Sequence, residues 1–355
     1  MVSDRNSDFT NRTCIIRRLL LYICTLVSIV AVIGDGSWAT ALVKILTDNH
    51  IQVNWWMRDK DNLAFIREHH FNGKYLRSAH LLTSHIQFYP DIHKACAGAD
   101  VILFAIPAAF LHEAIAPLDS DELKGKILLS AIKGMEPGTD MIISDYLLQR
   151  FTCTPDQIAV VAGPCHAEEI AMERISYLTI SSESAATASM IAPLLGRPNI
   201  YTHTLNDIVG VEYAAVLKNI YAIAAGIANG IGRGDNFKAV LISNACAEME
   251  RFLTKVTPGQ RVLTHSVYLG DLLVTAYSQH SRNRTFGNMV GHGYSVRSAQ
   301  LEMNMIAEGY FAVKSIHHLI KKYEVDMPIC EAVYMILYEK ISPIIEFEML
   351  KGKLS

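Results

Sequence analysis

At 355 residues the chain is longer than one core usually supports, so two domains are expected. Half of the residues are apolar, 19% are charged and the formal net charge is -3, which excludes disorder and bulk electrostatic attraction to nucleic acid. An anionic ligand must then be held by local groups.

In chain order, the first feature is an apolar run from Leu19 to Ile33 behind Arg17-Arg18. A bilayer helix takes about 20 apolar residues, and the end of this run, Ile29 to Ile33, is better used as a buried strand. No small-residue cleavage site precedes the glycine motif that follows. Residues 1–28 are therefore expected to be a non-essential extension without stable membrane insertion. Between residues 29 and 205, β-branched runs alternate with helical patterns, the signature of a parallel sheet covered by helices. The expected strands are Ile29 to Ile33, Gln52 to Met57, Val101 to Ala105, Ile127 to Ala131, Ile158 to Ala162, Leu178 to Ser181 and Asn199 to His203. In such sheets the ligand lies outside the carboxyl ends of the strands, which directs Gly34, Arg58, Pro107, Lys133 and Gly163 to one crevice.

The segment Gly34-Asp35-Gly36-Ser37-Trp38-Ala39 follows the first strand and precedes a helix predicted over Ala39 to Leu46. In this GxGxxA pattern Gly34 permits a tight turn and Gly36 lets the backbone approach a pyrophosphate. The small Ala39 lets the helix pack on the strand while its free N–H groups receive the phosphates. At the end of the second strand Arg58 suits a 2′-phosphate and leans toward NADP, while Asp59 beside it keeps NAD open.

Near Thr204 to Asp207 the composition shifts, and residues 206–355 read as an all-helical domain packed against the first with a cleft between them. The clearest helices are Val209 to Asn229, Phe237 to Leu253 and Met305 to Tyr323. Lys218 is the only basic residue in the apolar stretch from Glu212 to Ala225. Ala214, Ala215, Ala222 and Ala225 share its face and leave a recess around the ammonium. Partial desolvation there lowers a lysine pKa and makes proton exchange with an alcohol or carbonyl oxygen feasible; a snorkelling lysine at a core edge is the competing reading. Further on, Asp271 and Thr275 lie four residues apart on one helical face, and Ser281-Arg282-Asn283-Arg284 follows. Arg282 and Asn283 suit the clamping of a phosphate or carboxylate, against the alternative of a solvated turn.

Together the glycine loop (GDGSWATAL, 34–42), SAIKGME (130–136), GPCHAEE (163–169), the lysine helix (209–232), LGDLLVT (269–275) and SRNRTFG (281–287) resemble the NAD(P)-dependent glycerol-3-phosphate dehydrogenase family, from about Ile29 to near the C-terminus. The resemblance implies a Rossmann-type parallel-sheet domain followed by a helical C-terminal domain like that of 6-phosphogluconate dehydrogenase. It implies NAD or NADP as cofactor, lined by Gly34, Gly36, Ser37, Trp38, Ala39, Arg58, Lys133, Ala167, Arg282 and Glu308, with Ile306 close by. It also implies a small-molecule substrate, glycerol 3-phosphate or dihydroxyacetone phosphate. Lys133, Gly163, Cys165, Lys218, Asn219, Asp271, Thr275, Ser281, Arg282 and Asn283 would surround it, with Lys218 as proton acceptor. The suggested role is supply of glycerol 3-phosphate for phospholipid synthesis.

Some positions depart from the family pattern. Members often carry GPSFAEE where this chain has Cys165 and His166, so a hydroxyl contact becomes a thiol contact; Asp35 and Ala39 replace a frequent Ala and Gly. His166 is expected to be structural, because Lys218 occupies the better protected helix. The seven cysteines lack a CxxC pair, which fits a reducing cytoplasm, and His69-His70 and His317-His318 lack metal-ligand spacing and read as surface residues. No metal is expected. Oligomeric state stays open, a homodimer included. The rival readings are a β-hydroxyacid or 6-phosphogluconate-type dehydrogenase and a non-catalytic dinucleotide sensor.

Overall fold

The computed structural model describes residues 27–303 and 305–355. The expected N-terminal extension, residues 1–28, lies outside them except for Val27 and Ser28. Among the described residues there are twelve strands, the first of them β1 (Ile29–Ile33), whose last four residues are buried. In chain order they continue with β2 (Gln52–Trp56), β3 (Phe71–Asn72), β4 (Leu76–His80), β5 (Ile86–Tyr89), β6 (Val101–Phe104), β7 (Ile127–Ser130), β8 (Met135–Glu136), β9 (Met141–Ile142), β10 (Ile158–Ala162), β11 (Ser176–Ser181) and β12 (Ile200–Leu205). Eight of them make one sheet in the order β12-β11-β10-β7-β6-β1-β2-β5, and the pairs β3-β4 and β8-β9 are small hairpins.

From β5 to β10 the sheet is parallel. The strand order reverses beside β1, which puts a crevice at its carboxyl end. Two features differ from the sequence reading. Ile86–Tyr89 adds an edge strand beside β2, and β11 runs antiparallel to β10, with β12 parallel to β11. Strand direction leaves no trace in period-two alternation, and an antiparallel edge on a parallel sheet is common.

Three helices of this half matter for the site: α1 (Ser37–Asp48), α2 (Lys60–His69) and α3 (Ala167–Ala171). The helical half begins with α4 (Ile208–Gly230) and continues with α5 (Asp235–Val256), α6 (Asp271–Tyr277), α7 (Arg282–Gly291), α8 (Glu308–Tyr323) and α9 (Pro328–Leu337). Apolar on all sides, α4 is the helix around which the others pack, as such a composition requires. It is also the one described helix long and apolar enough to cross a bilayer, and 94% of that stretch is buried inside the protein. The core on one face of the sheet runs on into this half: Ile33, Phe104 and Ile158 share an apolar cluster with Val216, Leu217 and Ile220.

Glycines let the helices meet closely. A Cβ on Gly226 of α4 would fall on the Arg284 carbonyl oxygen of α7, and one on Gly287 would fall on that of Ile223. This contact fixes the helix carrying Arg282 and Asn283 against the helix carrying Lys218.

Candidate active site

At the end of β1, Gly34 has φ +127, and a Cβ there would overlap the Ala105 carbonyl oxygen at the end of β6. Only glycine meets both conditions. Gly36 caps α1 without a side-chain partner, no acid occupies the first helical turn, and a Cβ on Gly36 would meet nothing within 4 Å. The N–H groups of Ser37, Trp38 and Ala39 are first-turn donors with no intrahelical acceptor, at the positive end of a 12-residue helix that begins beside this open space. Trp38 adds a buried indole N–H with no partner. These residues fit a dinucleotide pyrophosphate. Ala39 itself is fully buried and lets α1 pack down on the sheet.

To one side of the loop, Gly34, Asp35, Trp56, Arg58, Phe110 and Glu113 line a cavity of about 880 Å³. Arg58 is exposed, lies 5.4 Å above the Phe110 ring and approaches Glu113 at 3.7 Å. Asp59 does not reach this cavity as a free acid. Its carboxylate caps α2 by accepting from the Asp61 and Asn62 N–H groups, and it pairs with Lys74 at 2.9 Å.

To the other side lies a cleft of about 1030 Å³ between the two halves; Ile106 and Pro107 line both spaces and join them. At its floor Asp271, 1% exposed, receives a hydrogen bond from the Lys218 ammonium on one carboxylate oxygen and faces Lys133 at 3.4 Å on the other. Lys133 also donates to the Gly163 carbonyl at 3.1 Å and lies 3.7 Å from the Cys165 sulfur. Asn219, one residue along α4, donates to the Lys133 carbonyl at 2.8 Å.

Burial pushes the Lys218 ammonium below the usual lysine range and the Lys133 charge pushes the same way, with Asp271 opposing. Burial alone would raise Asp271, but Lys133 and Lys218 outweigh it and hold the carboxylate below the ordinary range. Burial also works against Lys133, yet Asp271 and Cys165 keep it charged, above the ordinary value. The thiol of Cys165 is raised by burial, with Lys133 opposing. One carboxylate therefore holds a fixed cation and a second amine that can change state.

The same cleft takes in Ala167, Ser281, Arg282, Asn283, Ile306 and Glu308. Several hydrogen-bonding groups are already engaged. The Ser281 hydroxyl caps α7 by accepting from the Arg284 N–H at 3.2 Å, and Asn283 Oδ1 accepts from the Gly309 N–H at 2.9 Å. The Thr275 hydroxyl donates to the Asp271 carbonyl one turn earlier at 2.6 Å. Arg282 stays exposed with one nitrogen 3.5 Å from the Met305 sulfur. Glu308 accepts from the Ala108 N–H at 3.1 Å, and burial pushes its carboxyl up to about 7. Gly34 and Arg58 sit in the neighbouring cavity, and Gly163 contributes its carbonyl behind Lys133.

Histidines depart most from the sequence reading. His166 lines the cleft with its Nε2 buried and unpartnered, and burial, reinforced by Lys218 and Lys133, pushes it down to about 4. His280 lines the cleft too, an unweighted neighbour of the Ser-Arg-Asn segment. His317 is half-buried and stacks on Tyr334 at 3.6 Å, whereas His69, His70 and His318 are exposed. Among the described residues no group of three or more His, Cys, Asp or Glu side chains is placed to hold a metal ion.

A dinucleotide groove over the strand ends that opens onto a buried, acid-paired lysine under a helical half defines a two-domain nicotinamide-dependent dehydrogenase. Sequence profiles agree: residues 29–188 match the NAD-dependent glycerol-3-phosphate dehydrogenase N-terminus, and residues 207–348 match its C-terminus. The chain belongs to the NAD-dependent glycerol-3-phosphate dehydrogenase family. It is 37% identical over 327 residues to the glycerol-3-phosphate dehydrogenase (NAD(P)+) of Bacillus subtilis (strain 168), covering 91% of this chain and 94% of that one. It is also 37% identical over 311 residues to the enzyme of the same name from Staphylococcus saprophyticus, covering 87% and 93%. A solved glycerol-3-phosphate dehydrogenase from Coxiella burnetii superposes with a TM-score of 0.85 at 28% identity, over 91% of this chain and 98% of that one.

Proposed function

We propose that the chain interconverts dihydroxyacetone phosphate and sn-glycerol 3-phosphate with NADH or NADPH, supplying glycerol 3-phosphate for phospholipid synthesis. The observation that carries this reading is the buried Lys218–Asp271 pair at the floor of a cleft that Gly36, Ser37 and Trp38 of the glycine loop also line. When bound, the nicotinamide cofactor supplies or receives the hydride at C2 of the substrate. The glycine-loop N–H groups would hold its pyrophosphate, and Arg58, on the cavity beside that loop, would receive a 2′-phosphate.

Arg282 and Asn283 hold the phosphate end of the substrate, which brings the C2 oxygen toward Lys218. In ketone reduction the Lys218 ammonium polarises the carbonyl oxygen and delivers the proton; in alcohol oxidation the neutral amine takes it. Asp271 aims the amine, and Asn219 braces the Lys133 backbone beside it. Lys133 remains charged and sets the positive field that favours a phosphorylated substrate. Thr275 steadies the first turn of α6 under Asp271, and the Ser281 hydroxyl does the same for the start of α7.

We also place the enzyme in the cytoplasm, outside the bilayer, acting on small molecules alone or as a homodimer. Lys218→Met tests the core of the reading. Cofactor Kd, followed by nicotinamide fluorescence, should stay within about threefold, while turnover of dihydroxyacetone phosphate drops by about 10²- to 10⁴-fold, the range for loss of a general acid–base. Turnover close to wild type would refute the assignment.

A further inference from the structure

One titratable group on the cleft wall has no task in this scheme. His166 precedes α3, its ring centroid lies 5.9 Å from that of His280, and its Nε2 is buried without a hydrogen-bond partner. A buried polar nitrogen in that state is costly unless something enters to pair with it. The groups facing it are Lys218 from α4, Lys133 from the loop behind β7, Asp271 from α6 and His280 from the turn before α7, with Glu168 on its own helix.

We propose that His166 reads the phosphate of the substrate: neutral in the free enzyme, it takes one proton from solvent when a dianionic phosphoryl group enters the cleft, and donates a hydrogen bond to it. This rests on the reading that the cleft receives a phosphorylated three-carbon substrate. Burial and two nearby ammoniums keep the imidazole neutral at neutral pH, holding its value down to about 4. Lys133, Lys218 and Arg282 share the cleft with Asp271, Glu168 and Glu308, whose carboxyl burial pushes up to about 7, so the cleft is close to neutral; a dianion makes it negative, and protonation of the ring becomes favourable. Apart from the N–H bond formed on the ring, no covalent bond changes. Beside Arg282, the chain would then have a second cationic contact to phosphate, switched on only by the ligand.

Inorganic sulfate is the probe, because it stays dianionic across the useful pH range, and its Ki against glycerol 3-phosphate is measured on the full chain from pH 5 to 9. Uptake of one proton makes Ki rise with pH by up to about tenfold per unit until the value in the complex is passed. In His166→Phe the slope should vanish below about pH 6, where Lys218 and Glu308 still hold their protons, and KM for dihydroxyacetone phosphate at pH 7 should rise about tenfold, with the smaller share of the loss in kcat, as expected for a charge-assisted bond. His166→Gln, which keeps an N–H donor, should recover part of KM and none of the slope. An identical sulfate slope in wild type and His166→Phe would overturn the proposal.

Should the variants fail to fold, calorimetry of sulfate binding to wild type in two buffers of different ionisation enthalpy decides. At about pH 5.5, where Lys218 and Glu308 already hold their protons, uptake of a substantial fraction of a proton per site that persists in His280→Gln supports the role, and none overturns it. The two readings fail separately: no dihydroxyacetone phosphate-dependent cofactor oxidation sinks the substrate assignment, whereas normal turnover with a pH-independent sulfate Ki sinks only His166.

Discussion

Replacing Asp271 with asparagine probes the charge arrangement under the substrate. The carboxylate faces Lys133 at 3.4 Å and touches the Lys218 ammonium more closely still. At 3.4 Å and an effective dielectric of about 20, one such attraction is about 5 kcal/mol. Desolvation of the three charges offsets much of it, so the net loss should follow that of buried pairs stripped of one partner, about 3–5 kcal/mol. Lys218, already depressed by burial, should fall further once the opposing carboxylate is gone. A lysine depressed in the folded state costs stability at every pH below its unfolded value, and the cost fades as pH rises toward about 10. Urea midpoints should therefore show the full deficit at pH 7 and a smaller one at pH 9.5. Ketone reduction, which needs the ammonium, should slow by about 10²-fold or more at pH 7. The pH profile of glycerol 3-phosphate oxidation, which needs the neutral amine, should move to lower pH. A variant with wild-type stability and an unmoved oxidation profile would show that Asp271 does not set the state of Lys218.

The two loop glycines should separate fold from cofactor binding. Gly34→Ala should lower the unfolding free energy, read from urea titration, by about 2 kcal/mol or more through strain and overlap. Gly36→Val should change stability by no more than about 0.5 kcal/mol and weaken NADH binding at least tenfold, an effect of crowding the pyrophosphate read by fluorescence titration. Arg58→Ala should raise KM for NADPH about tenfold, the size of a lost phosphate contact, with little change for NADH; equal shifts for both cofactors would refute a 2′-phosphate role. Glu212, buried on α4 and bonded to the Ser144 hydroxyl and N–H, is pushed up by burial from 4.5 to about 8. A raised carboxyl contributes stability below its unfolded value that is lost as pH climbs through the folded one. Glu212→Gln should accordingly gain on wild type between pH 5 and pH 9 in urea midpoint, and a constant difference would count against that charge.

Most of the sheet was legible because buried parallel strands are continuous β-branched runs; β1 and β10 have the bounds their sequences suggest. Ile86–Tyr89 escaped notice for the complementary reason. It is four residues long with only Ile86 buried, an edge strand whose polar Gln87 and short length leave no periodic signal. The antiparallel turn of β11 escaped because alternation is blind to direction. In the helical half α4 runs one residue beyond the expected bounds at each end, since a 23-residue stretch of Ala, Ile, Val and Leu has few other ways to fold. The sequence reading began the helix of Met305 to Tyr323 too early: α8 starts at Glu308, where the Glu308 carboxylate turns back to the Ala108 N–H.

For the site, residue types were legible and pairings were not. Lys218 stands out locally, as one cation on an apolar helix. The carboxylate that makes its burial tolerable is 53 positions away, and the second amine sharing that carboxylate is a further element removed, 138 positions from Asp271. Nothing in either local pattern selects the other; the fold does, by pressing α7 against α4 across glycine contacts, packing α6 beside it and laying α4 over β10. Side chains that look alike in sequence then part ways. Asp59 looks available to a ribose but caps α2, and Thr275 looks like a substrate donor but bonds back to its own helix. His166 looks like filler beside the glycine that backs Lys133, yet it keeps a bare nitrogen within the field of two ammoniums. A hydrogen-bonding group already engaged by the backbone has little left for a ligand, so the groups left unpaired after folding are the ones on which substrate recognition can act.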